Sequence, residues 1–68
     1  MNEDSLNMEI RKFLKKVGIT SQRIIEKSIY DAEKTGNITI GDEIELKMTL
    51  YIKNFNSSEE INGKILID

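Results

Sequence analysis

The chain has 68 residues, 38% of them hydrophobic, and ten Lys and Arg against twelve Asp and Glu give a net charge of −2. It contains no Cys and no His, which excludes disulfides, thiolate chemistry and the commonest transition-metal ligand and general base. A chain this short makes one domain, 1–68, whose folding covers only about 60% of its unfolded surface, so a second copy is the expected reinforcement.

Residues 1–10 carry Glu3, Asp4 and Glu9 with no base, where a leader peptide would need an apolar run. No stretch approaches the roughly 18 apolar residues of a membrane span. The expectation is a cytoplasmic protein without membrane contact. Asp4 or Ser5 is placed to cap a first helix over about 5–17. Leu6, Ile10, Phe13, Leu14 and Val17 fall at helical spacing on one stripe. Met8 lies off that stripe and is a candidate contact with another copy. Arg11, Lys12, Lys15 and Lys16 occupy the opposite side.

Gly18 stands where a left-handed helix cap is needed, just after two lysines that suit the negative end of the helix dipole. Thr20 or Ser21 then reads as the cap of a second helix over about 21–35. Its inner face is thinner, with Ile24, Ile25, Ser28, Ile29 and Ala32, and Gly36 ends it.

Ile38 and Ile40 alternate weakly before Gly41-Asp42 breaks the pattern. The clearest strand follows, over about 43–53: Ile44, Leu46, Met48, Leu50 and Ile52 alternate with Glu45, Lys47, Thr49, Tyr51 and Lys53. Asn54–Glu60 holds turn formers. A second strand over about 59–67 buries Ile61, Ile65 and Ile67, with Gly63 as a bulge or close-packing position. Pairing Ile52 with Ile61 would bring the apolar rows to one side. The other side shows Tyr51 and Leu66, candidate dimer contacts with Met8. The predicted fold is thus α+β, two helices in a helix-turn-helix-like arrangement followed by an antiparallel β-hairpin.

Charge is distributed unevenly. Residues 11–27 set Arg11, Lys12, Lys15, Lys16, Arg23 and Lys27 against Glu26 alone, while residues 28–68 hold eight acids against four lysines. Two functions fit this basic centre. One is a non-catalytic interaction module, a homodimer whose basic helical surface meets an acidic protein. The other is nucleic-acid binding by a helix-turn-helix with a winged hairpin. There Ser21, Gln22 and Arg23 of the second helix would read bases, while Lys27 and the lysines of the first helix hold phosphate. The acids of the hairpin and the acidic net charge favour the first. Asp42, Glu43 and Glu45 lack the spacing of a calcium loop, the glycines form no phosphate loop, and no nucleophile–base pair is available. No cofactor and no catalysis are expected.

Taken whole, the chain resembles a family of small bacterial proteins of about this length that have no assigned function. The resemblance rests on MNEDSLNMEIRKFLKKVGITSQRIIEK, on KMTL at 47–50 and on EINGKI at 60–65. It implies a free-standing module without catalytic residues. Ile24 and Tyr30 stand where relatives are expected to carry charge, which argues against base reading by that helix face.

Overall fold

The computed structural model describes residues 1–68, which form two compact units, Met1–Asn37 and Ile38–Asp68. The first unit is a single helix, α1, Glu3–Lys34. The second is an antiparallel hairpin of β1, Glu43–Ile52, and β2, Ser57–Leu66. The α+β class and the hairpin are as expected. The helix-turn-helix is not: the chain runs through Gly18 without a turn.

The reason lies in the weakness of a lone glycine as a breaker. Gly in a helix interior costs about 1 kcal/mol relative to Ala, whereas ending a helix takes a left-handed residue or a proline. Gly18 has no positive φ, and the chain has no proline. Thr20 and Ser21, read as a cap, are interior residues of α1. The actual cap is Asn2, whose side-chain oxygen accepts the Ser5 N–H at 3.0 Å, in place of Asp4 or Ser5. Glu3 and Asp4 then occupy the first turn, where acids suit the dipole.

At the other end Gly36 terminates α1 with φ +74°. The Asn37 N–H reaches the Ala32 carbonyl at 2.8 Å and the Gly36 N–H reaches that of Glu33 at 3.1 Å. These two bonds make a Schellman cap, and the left-handed residue at its centre is why a glycine stands there. The Thr35 hydroxyl adds bonds to the carbonyls of Asp31 and Ala32.

In the second unit, Ile38–Asp42 forms a turn and no strand. The Asp42 carboxylate accepts the Thr39 N–H at 2.9 Å, and Gly41 takes φ +102°. The Gly41 N–H bonds the Ile67 carbonyl, and the Ile67 N–H bonds that of Asp42 at 2.9 Å. The turn is thereby tied to the end of β2.

The ladder runs unbroken from Glu43 opposite Leu66 to Ile52 opposite Ser57. Ile61 therefore faces Met48, four residues from the expected Ile52. Gly63 faces Leu46 as an ordinary ladder residue, with no bulge and with no atom within 4 Å of an added Cβ. The register is set by a tighter turn than Asn54–Glu60 suggested. A single 3-10 turn, Lys53–Phe55, leads to Asn56 in the left-handed region at φ 49°, and β2 starts at once. Asn tolerates that region better than other side chains, and the Tyr51 hydroxyl donates to its Oδ1 at 2.9 Å. Because the shift is an even number of residues, the two apolar rows still share a face.

Candidate functional site

The basic residues are placed by the rotation of α1. At 3.6 residues per turn, Lys12, Lys16, Arg23 and Lys27 fall within about 60° of one another, and Lys34 joins them. Arg11, Lys15 and Gln22 lie on a flank of the helix, roughly 60° to 160° round from that band. Ser21 lies elsewhere, on the apolar side, where it is half-buried. The eight residues expected to share one surface are therefore divided among three faces. A base-reading turn of Ser21, Gln22 and Arg23 is also absent, because these residues stand mid-helix with no helix start to present them.

Their partners are local. The Gln22 amide donates to Glu26 at 2.8 Å, and Lys27 pairs with Asp31 at 3.1 Å. Both are i,i+4 pairs on an exposed surface, of a kind worth a few tenths of a kcal/mol. Arg11, Lys12, Lys15, Lys16 and Arg23 form no ion pair. Lys12, Lys16 and Arg23 thus make an open cationic band. Ile19 and Tyr30 run beside it, and Tyr30 borders a shallow recess with Arg23, Lys27 and Lys34.

The opposite side of α1 carries the feature that reading two helices concealed. Leu6, Ile10, Phe13, Leu14 and Val17 continue in phase into Ser21, Ile24, Ile25, Ser28 and Ala32. All fall in a band about 120° wide along the whole helix. The stripe positions return every 11 residues: Leu6, Val17 and Ser28; Ile10, Ser21 and Ala32; Phe13 and Ile24; Leu14 and Ile25. An 11-residue repeat is 3.67 residues per turn, close to the helix itself, so the stripe runs nearly straight. No residue of the stripe is buried, and Phe13 and Ile24 are 53% and 61% exposed. Phase continuity across Gly18 was the signal in the sequence that could have revealed it.

On the hairpin, Ile44, Leu46, Met48, Leu50 and Ile52 share a face with Ile61 and Ile65. Nothing there is buried either, and Ile61 is 63% exposed. Gly63 leaves a shallow groove beside Leu46, edged by Glu45, Asn62 and Lys64. The other face is charged and cross-linked diagonally, Lys47 to Glu60 at 3.8 Å and Lys64 to Glu43 at 3.5 Å. Tyr51 and Leu66 lie on this charged face, in the ladder pairs nearest its two ends. Eight residues of strand separate their levels, about 27 Å. They do not form one patch, and Tyr51 is engaged with Asn56. Met8, 70% exposed, is on the unstriped side of α1.

No three acidic side chains come together in a group that could hold a metal ion. No helix is long and apolar enough to cross a membrane. No curated protein and no solved structure matches the chain. The model of one family covers residues 1–68. On that full-length match, the chain belongs to DUF6494, a family of unknown function.

Proposed function

We propose that this chain is a non-catalytic interaction module that works as a homodimer, with a cationic helical band left open for an acidic protein. The observation that carries this reading is that no side chain is buried, although each unit displays a continuous apolar face. Domains of this size are marginal even with a full core. A protein without one gains its stability from what it binds. Exposed apolar faces of this extent mark association surfaces. The open band of Lys12, Lys16 and Arg23 lies opposite the stripe, so association through the stripe leaves it free.

The test is sedimentation equilibrium of the wild type beside two charge variants of α1. Phe13→Asp puts a carboxylate in the stripe and is expected to weaken association by about 2 kcal/mol or more, roughly 30-fold in Kd. Lys16→Asp puts the same residue on the open side at a greater cost in helix propensity, yet should leave association within about twofold. A wild type that stays monomeric at high micromolar concentration overturns the proposal.

A further inference from the structure

The stripe on α1 has a symmetry that chooses its partner. Its ten positions reflect onto themselves about the level of Ile19: 6 with 32, 10 with 28, 13 with 25, 14 with 24, and 17 with 21. We propose that α1 pairs with the α1 of a second copy in antiparallel orientation, the two-fold axis crossing the stripe at that level. The inference rests on the homodimer proposed above and adds its geometry.

Size decides between the two orientations. The N-terminal half of the stripe is bulky, and the C-terminal half contains Ser21, Ser28 and Ala32. Antiparallel pairing sets Leu6 against Ala32, Ile10 against Ser28 and Val17 against Ser21. Phe13 with Ile25 and Leu14 with Ile24 fill the layers between. Each bulky residue at the ends meets a small one, the alternation that lets facing layers interdigitate at 8–10 Å between axes. Parallel pairing would instead set Ser21, Ser28 and Ala32 against themselves and leave that half poorly filled. A serine hydroxyl on such a face has the carbonyl one turn back in its own helix as an acceptor once a partner excludes water. Antiparallel dipoles also place each positive helix end beside a negative one. The contact is isologous, as a closed dimer requires.

The two units together expose more surface than compact bodies of their mass. Two separate compact bodies of about 4.2 and about 3.6 kDa would together expose about 5300 Å². The chain exposes 6436 Å². Contact between bodies only removes surface, so the surplus of about 1100 Å² belongs to the units themselves. A standard stable interface takes about 800 Å² from each partner.

Engineered cysteines test the orientation in a chain that has none of its own. Leu6→Cys and Ala32→Cys are prepared separately, mixed, and oxidised gently, with helicity followed by circular dichroism. The antiparallel pair predicts a Leu6→Cys to Ala32→Cys cross-link in the mixture and no self-link in either variant alone. The two copies of one site would be about 39 Å apart along the helix, far beyond disulfide reach. Self-linking of each variant would show a parallel pair and overturn the inference. So would a dimer in which no combination links. A spin label at Lys34→Cys, outside the stripe, gives an independent reading: about 45 Å between labels if antiparallel, and under about 20 Å if parallel. A monomeric chain would remove the homodimer itself, an outcome distinct from a dimer of another orientation.

Discussion

Gly18→Ala separates a continuous helix from a helical corner. A methyl group at Gly18 meets no neighbouring atom within 4 Å, so it neither clashes nor gains packing. What changes is backbone freedom, and the expected gain is about 1 kcal/mol from helix propensity and the stiffer unfolded chain. For a domain of this size that raises Tm by about 4–8 °C. The companion substitution is Gly36→Ala. There φ is +74°, and the left-handed conformation costs a Cβ-bearing residue about 1 kcal/mol, so Tm should fall by a similar amount. Melting is followed by circular dichroism at one fixed chain concentration, because association shifts Tm. A Gly18→Ala variant destabilised by 1 kcal/mol or more would refute the reasoning and restore a turn at that position.

Substitutions at three further positions probe the local devices. Asn2→Ala removes the cap on Ser5 and should cost about 1 kcal/mol, with faster amide exchange confined to the first turn of α1. Asn56→Gly keeps the left-handed turn but loses the Tyr51 bond, whereas Asn56→Ala loses both. Urea unfolding should therefore rank wild type above Gly and Gly above Ala, with about 1 kcal/mol between the last two. Lys47→Ala breaks an ion pair whose side chains are more than half exposed and should change stability by less than about 0.5 kcal/mol. A larger loss would mean that this face is covered.

The hairpin was legible because alternation from Ile44 to Ile52 is a direct statement of which side chains share a face. Its register was not. Register depends on how few residues close the turn, and that was decided by one Asn accepting a left-handed conformation at position 56. The end of α1 was legible at Gly36, where a positive φ is required. Gly18 carries the same letter with no such requirement, and only the phase of the stripe on either side distinguishes the two. Val17 leads to Ser21 and Ile24 at helical spacing, which a corner would have reset. Missing that continuity also misplaced the basic residues. A second helix beginning near Ser21 would have grouped Ser21, Gln22 and Arg23 at its start. In one helix the same three residues point about 100° apart from one to the next. Ser21 and Ala32 looked like gaps in a thin inner face, and they acquire a role only when a bulky partner from another copy is set against them.

The most direct measurement of the dimer is the dependence of Tm on chain concentration, with sedimentation run on the same samples. If folding and association are coupled, Tm rises steadily with concentration from low micromolar upward, and the sedimenting species has twice the 7.8 kDa mass of the chain. A cooperative transition at a Tm independent of concentration, from a particle of 7.8 kDa, would show a monomer stable by itself and contradict it.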